Sequence, residues 1–479
     1  MNRCIAKLLV STPPLRLVAL APFAPPDRPD VALEEFLVET ASKLCSWLAQ
    51  ASQRGPLPPL QPVAEVSPGV VGRTADELLA DLQLVMDGSY RPSHPGALAH
   101  LDPPPLTASI AADLVCAGLN NNLLAEELSP SLSMLERQIT QWFALRLGFP
   151  EGAGGVAASG GSLSNLMALV TARHWANLDN NPRAVVITGE DAHVSLLKAC
   201  RVMGLLEDGL QTVSCDSDGC LDPCLLEQRL YRLRDQDRPC LAVVATAGTT
   251  VRGAIDPISP LASLCRREGI WLHVDAAIGG VFALSPRSAH LLTGINCADS
   301  ATVNPQKLLG ITKTSSLLLV ARPEDLAAAF TTGLPYMEPS WSCPHGGELG
   351  LQGSRPAEIL KLWLGLRQLG EVGIRELLEA ALERRRLLQQ CLDASRFLLL
   401  SGPLHLLACS PAGIDISQAE AWSITTRQIL LSHHFMLSRP VHYSRHYLKV
   451  VLGNPHTRSY HLHQLANLLN ASIPASSSP

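Results

Sequence analysis

Between about residues 90 and 320, short apolar runs alternate with segments of helical period: AVVITG, TVSCD, CLAVVATAG, IWLHVDAA, SATVN and SSLLLVA. None interleaves polar with apolar positions. Each therefore reads as a strand covered on both faces, as in a mostly parallel sheet flanked by helices. Beyond a Gly/Pro-rich stretch from Thr332 to Gly350, a helical period occupies about 356–396. FMLSRPV and YLKVVLG read as strands and SYHLHQLANLLNAS as a closing helix. Ahead of the sheet, helices are predicted in VALEEFLVETASKLCSWLAQ and from about Thr74 to Met86, with the Pro-rich RGPLPPLQPV between them. The pattern divides the chain into an N-terminal arm with helical segments (1–90), a large α/β domain (91–355) and a small α+β domain (356–479).

Composition narrows the classes. Of 479 residues, 47% are apolar and 17% charged, which excludes a mostly disordered chain. Lys+Arg 38 against Asp+Glu 43 gives a net charge of -5 with no basic block, so nucleic acid is not an expected partner. Residues 7–24 are apolar but interrupted by Pro13, Pro14, Arg16 and Pro22, too broken for a membrane helix, and no membrane partner is expected. The 13 cysteines include no CxxC pair and read as reduced thiols of a cytoplasmic protein. Cys215, Cys220 and Cys224 match no common zinc spacing, so no metal is expected.

Three segments carry candidate chemistry. In ASGGSLSN, two glycines precede a helix start, where free amide groups make an anion site suited to phosphate; a plain capped turn is the alternative. In IWLHVDAAIGG an apolar strand ends on Asp275, a carboxylate that asks for a cation at the sheet edge where α/β proteins bind ligands. In SATVNPQKLLG another strand stops at Asn304 and delivers Lys307. The chain has only seven lysines: Lys7 and Lys43 lie in the arm, Lys361 and Lys449 in the small domain, and Lys198 on a predicted helix. Lys307 is thus the foremost candidate amine, with Lys313 as fallback. A phosphate cradle, a buried carboxylate and a strand-end lysine together suit pyridoxal 5'-phosphate, whose aldehyde condenses with an amine and whose protonated ring withdraws electrons.

The ordered motifs HLDPPP, SGGSLSN, EDAHVSLLKACRVMGL, ATAGTTVRGAIDPI, WLHVDAAIGG, NPQKLLG and LQGSRPAEILKLWLGLRQLG resemble the group II pyridoxal-phosphate-dependent amino-acid decarboxylases over about 90–470. The family includes glutamate, cysteine-sulfinate, diaminobutyrate and aromatic-amino-acid decarboxylases. The resemblance implies the aspartate-aminotransferase-like fold (fold type I) and a homodimer with shared active sites. It also implies release of CO2 from an L-amino acid to leave a primary amine. It makes Lys307 the covalent anchor of the coenzyme, Asp275 the partner of the pyridinium nitrogen, and His193 the imidazole stacked on the ring. Ala277 becomes the small residue on the opposite face, Thr249 a coenzyme contact, and Gly161 with Ser162 the phosphate cradle. Asn304 joins this group as the residue at which the lysine-bearing strand stops.

Two positions depart from the family: Gln306 stands where His usually precedes the lysine, and Ile278 where an aromatic residue usually follows VDAA. Glutamine does not titrate near neutral pH, so a proton relay through residue 306 is not expected. The departures leave carbon–carbon lysis or oxidative aldehyde formation as alternative reactions, with a silent coenzyme-binding protein behind them. Tyr336, the only tyrosine in TTGLPYMEPSWSCPHGGELG, is the candidate lid tyrosine. Arg427 is the candidate anchor for a substrate carboxylate, and Asn122, among Asn120 to Asn122, a candidate substrate contact. The expected substrate leans towards acidic or diamino acids.

Overall fold

The computed structural model describes residues 20–61, 66–313, 315–338, 340–341 and 344–473. It falls into two compact units, the first ending at His94 and the second beginning at Pro95. The first unit contains α1 (Val31–Ala49), α2 (Ala51–Arg54) and α3 (Ala75–Asp87). Asp30 caps α1 by accepting from the Leu33 amide at 3.1 Å. Thr74 and Glu77 form a reciprocal capping box at the start of α3, where the pattern placed a helix.

The second unit opens with α4 (Thr107–Leu119) and α5 (Pro130–Arg146), then builds a seven-stranded sheet. Its strands are β1 (Gly154–Ala158), β2 (Val185–Gly189), β3 (Leu210–Val213), β4 (Cys240–Thr246), β5 (Trp271–Ala276), β6 (Ser300–Val303) and β7 (Ser316–Val320). They lie in the order β1-β7-β6-β5-β4-β2-β3, and only β7 runs against its neighbours. All six predicted sheet strands are present, β2 and β4 to β7 with nearly every residue buried, as two-sided coverage requires. The covering helices are α6 (Gly161–Trp175), α7 (Ser195–Val202), α8 (Pro223–Asp235), α9 (Ile258–Glu268) and α10 (Pro323–Phe330). This is the α/β architecture of fold type I.

Strand β1 was not foreseen, because GGVAA carries a single branched residue, Val156, among glycines and alanines. A Cβ on Gly155 would sit 1.9 Å from the Leu318 carbonyl oxygen, so the β1–β7 pairing is open only to glycine there.

The chain continues through α11 (Ile359–Cys391), broken at Gly370 where φ is 60°. Next come β8 (Phe397–Leu400), β9 (Leu406–Pro411), α12 (Ile416–Ser432), the two-residue strands β10 (Val441–His442) and β11 (Arg445–His446), β12 (Leu448–Val451) and α13 (Ser459–Ala471). A three-stranded antiparallel sheet, β12-β9-β8, packs with Trp422, Leu430, Leu462, Leu465 and Leu469 of α12 and α13 in a separate apolar cluster. YLKVVLG supplies β12 as expected. FMLSRPV instead makes two isolated bridges, Met436 with Ala97 and Ser438 with Lys449, before Pro440, which has no amide to extend a ladder, and only its last residue, Val441, enters a strand, the two-residue β10.

Candidate active site

Five strand ends and two helix starts converge at the carboxyl edge of the parallel sheet. β1 leads through Gly160 into α6; β2 leads through His193 into α7; β4 ends at Thr246 before the Gly248–Thr250 turn; β5 ends on Asp275; and β6 passes through Asn304 to a tight turn, Pro305–Lys307. They enclose a cavity of about 160 Å³ lined by Gly161, Ser162, Asn165, His193, Thr246, Gly248, Thr249, Thr250, Asp275, Ala277, Ile278, Asn304 and Lys307. Every residue assigned from the sequence to coenzyme contact is therefore brought to one place.

The geometry tests whether pyridoxal phosphate fits. Asp275 is 6% exposed. It accepts from Asn165 Nδ2 at 2.8 Å and from the Ala277 amide at 3.2 Å. Both donors are neutral, and a buried carboxylate so placed has a use for one cation more, such as a pyridinium N–H. Burial lowers the pKa of Lys307, with Asp275 and Asp102 opposing, so the amine is more readily neutral and nucleophilic than a free lysine. His193 is also pushed down by burial and then by Lys307 and Lys198, against Asp275. A neutral imidazole suits a face laid against an aromatic ring.

The phosphate end is equally specific. A Cβ on Gly161 would come within 3.0 Å of Asn304 Nδ2, so glycine leaves the α6 start open at the cradle. Asn304 Oδ1 accepts from the Ser316 hydroxyl at 2.6 Å, which orients its NH2 group towards Gly161. Thr249 Oγ1 accepts from the Ala254 amide at 3.0 Å, fixing the turn after β4. These residues fit the coenzyme.

Several sequence candidates lie elsewhere. Arg427 on α12 donates through Nε to the Leu437 carbonyl at 2.9 Å and is not among the cavity-lining residues. Asn122 accepts from the Leu124 and Arg355 amides and donates to Ser354 Oγ, in a second cavity shared with Asn120 and Asn121. Tyr336 is 72% exposed. The base of its loop is stapled by Glu348, which accepts from the amides of Thr332 and Gly333 at 2.8 and 2.9 Å. Gln306 accepts from the Ser315 amide and closes a loop, whereas Ile278 is buried in the cavity wall.

Three polar residues at or near the cavity escaped sequence reading. Lys449, set aside as a small-domain lysine, is half-buried, and its ammonium donates to the Thr250 carbonyl at 3.2 Å, beside the cavity. Burial, then the charge of Lys307, lowers its pKa to about 8. Asn165 lies four residues after Gly161, a spacing that puts both on one helix face and could have flagged it. His273 sits inside the apolar run of β5 and gave no signal beyond being a polar residue where apolar ones belong.

Comparison with known proteins agrees with the geometry. Residues 71–409 match the pyridoxal-dependent decarboxylase conserved domain. An L-2,4-diaminobutyrate decarboxylase of Rhizobium meliloti is 29% identical over 90% of this chain and 87% of its own. The mouse (Mus musculus) acidic amino acid decarboxylase GADL1 is 30% identical over 79% of this chain and 70% of its own. The fold superposes on mouse CSAD in apo form with a TM-score of 0.86 at 22% identity, covering 92% of this chain and 99% of the other. It superposes on Oryza sativa TDC bound to PLP and tryptamine at 0.87 with 21% identity, covering 94% and 99%. The chain belongs to the pyridoxal-dependent decarboxylase family and is a pyridoxal-phosphate-dependent amino-acid decarboxylase, a carbon–carbon lyase.

Proposed function

We propose that the chain removes the α-carboxyl group of a small acidic L-amino acid, with Lys307 as the coenzyme's covalent anchor and Asp275 as the partner of its ring nitrogen. The observation that carries the reading is the meeting of Lys307, Asp275, His193 and Ala277 in one cavity at the sheet edge. Bound there, the coenzyme supplies an electron-withdrawing ring that stabilises the charge left at Cα when CO2 departs. Asp275 keeps that ring protonated. His193 and Ala277 hold its two faces, while Ser162, Asn304 and the free amides of α6 hold its phosphate. Lys307 would also be available as a proton donor to Cα, with Tyr336 of the exposed loop as the other candidate.

Lys449 supports the acidic preference. Its ammonium lies beside the cavity wall at Thr250 and is charged at neutral pH, whereas it would repel the distal ammonium of a diamino acid. Rates with aspartate, glutamate and cysteine sulfinate should exceed the rate with 2,4-diaminobutyrate, measured as CO2 and amine released in equal amounts. A preference for the diamino acid would remove the acidic reading, and aldehyde with ammonia in place of amine would remove simple decarboxylation.

A homodimer is also proposed. It is supported by the 19-residue helix α1, in which no residue is buried despite an apolar face. A cytoplasmic location is supported by the described cysteines, which are all free thiols, and no helix among the described residues is long and apolar enough to cross a membrane.

A further inference from the structure

From Asn165 in the cavity wall a run of buried polar side chains extends away from the cavity, beyond the contact to Asp275 already described. Asn165 is 1% exposed, Ser195 2%, and His273 and Ser300 0%. They form one continuous hydrogen-bonded chain, and its polarity is fixed at three points. The Trp271 indole can only donate, and it does so to Ser300 Oγ at 2.9 Å. The Asp275 carboxylate accepts from Asn165 Nδ2 at 2.8 Å, which sets the orientation of that amide and leaves Asn165 Oδ1 as an acceptor, 3.1 Å from His273 Nε2. His273 Nε2 must therefore carry a proton. Burial pushes the His273 pKa down to about 4 against the pull of Asp275, so the ring is neutral and its Nδ1 accepts from the Ser300 hydroxyl at 2.8 Å.

The third fixed point lies at the other end. The Ser195 backbone amide, a donor only, points at His193 Nδ1 from 3.2 Å. The second N–H of Asn165 donates to Ser195 Oγ at 3.0 Å, and the Ser195 hydroxyl is then free to donate to His193 Nδ1 at 2.8 Å. The amide contact requires His193 Nδ1 to be bare, so its single proton resides on Nε2 and the Ser195 hydroxyl takes the donor role. The polarity runs unbroken from Trp271 to His193, with a branch to Asp275 at Asn165.

We infer that Asn165, Ser195 and His273 are positioning residues that lock His193 as the neutral Nε2–H tautomer and tie its orientation to the Asp275 carboxylate. The inference deepens the reading of the Lys307 cavity as the coenzyme site and rests on it for its catalytic meaning. The charged groups bearing on His193 are Asp275 from β5, Lys307 from the turn after β6 and Lys198 from its own helix α7. Protonating Nδ1 would set it against the Ser195 amide, donor facing donor, and force the Ser195 hydroxyl to reverse, so the chain favours the neutral ring. Removing it should move the His193 pKa up by about one unit, the equivalent of about one hydrogen bond.

The test uses the coenzyme-loaded protein labelled with nitrogen-15 histidine, the His193 signals being assigned by their loss in His193→Gln. In the native protein Nε2 is protonated and Nδ1 bare at neutral pH, since burial holds the His193 pKa below the usual histidine value. In Asn165→Leu, which is close in volume and removes both donors without adding a charge, and in Ser195→Ala, the His193 pKa rises by about one unit and the acid limb of kcat/KM moves up with it. Ser195→Thr, which retains the hydroxyl, restores both. A proton on Nδ1 in the native protein would overturn the inference. So would variants that lose stability in urea while the nitrogen signals and the acid limb stay in place. Failure to take up coenzyme would instead overturn the reading of the cavity, and the tautomer of His193 would still be read in the same spectra.

Discussion

At the scale of single residues, burial that outweighs the nearby carboxylates gives the site its reactivity. Lys307 is held below the usual lysine range by burial, so its folded-state pKa lies under the unfolded one. That depression costs stability at neutral pH, where the unfolded lysine would be charged, and the cost fades as pH rises through the unfolded value. Lys307→Ala should remove the visible absorbance of the bound coenzyme and the trapping by borohydride. The same change should lower turnover by at least ~10³-fold, read as CO2 release. Lys449 titrates at about 8, so its attraction for a carboxylate is present below that pH and lost above it. The KM for an acidic substrate should therefore climb as pH rises past about 8. Lys449→Gln should raise that KM by roughly 10-fold at neutral pH and flatten the dependence, a change worth about 1.4 kcal/mol.

Which of these residues the sequence disclosed follows from chemistry of type. Lys307 and Asp275 were legible because both end apolar strands, where a charge is expensive and therefore informative. Asn165 and Ser195 were not, since such residues in helix starts are usually caps. Lys449 was discounted by its place in the chain, although the fold brings β12 back to the cavity mouth at Thr250. Arg427 was offered by the resemblance on its spacing ahead of the NP turn, with a surface helix arginine as the alternative; its Nε donates to the Leu437 carbonyl.

At the scale of elements, the parallel strands and α11 announced themselves through uninterrupted apolar runs and helical period, and the two misjudged segments had the opposite property. β1 consists of small residues whose role is proximity, and the 435–441 stretch has apolar residues without ladder partners. The β1 case can be measured. Gly155→Ala places a methyl group 1.9 Å from the Leu318 carbonyl oxygen, a backbone atom held by pairing on both sides of β7. The strands must separate locally, at a cost of about 3 kcal/mol. The urea midpoint should fall accordingly. Because Ser164 of α6 bonds Ser316 of β7 at 2.8 Å, and Ser316 in turn orients Asn304, the same substitution should weaken coenzyme binding. An unchanged coenzyme Kd at a lowered midpoint would separate the edge strand from the phosphate cradle.

For the whole molecule, the apolar surface left uncovered bears on assembly. In the first unit, Val31 and Val38 of α1 are 59% and 64% exposed, and Val85 of α3 is 61% exposed. In the second, α4 leaves Leu114, Val115 and Leu119 about half exposed. Scattered apolar residues need no explanation, but a 19-residue helix with nothing buried is marginal in water by itself, and its apolar face is stabilised only by being covered. A second copy of the chain, meeting the first across a two-fold axis, would cover each such face twice over. Val38→Glu therefore introduces two charges into the proposed interface. Losing about 1.5 kcal/mol of burial at each copy should raise the dimer Kd by roughly a hundredfold. Sedimentation equilibrium should find dimer for the native chain and a monomer–dimer mixture for the variant, with helical content unchanged by circular dichroism. A native chain that sediments as a monomer at every concentration would place the covering of α1 elsewhere and remove the shared-site arrangement along with it.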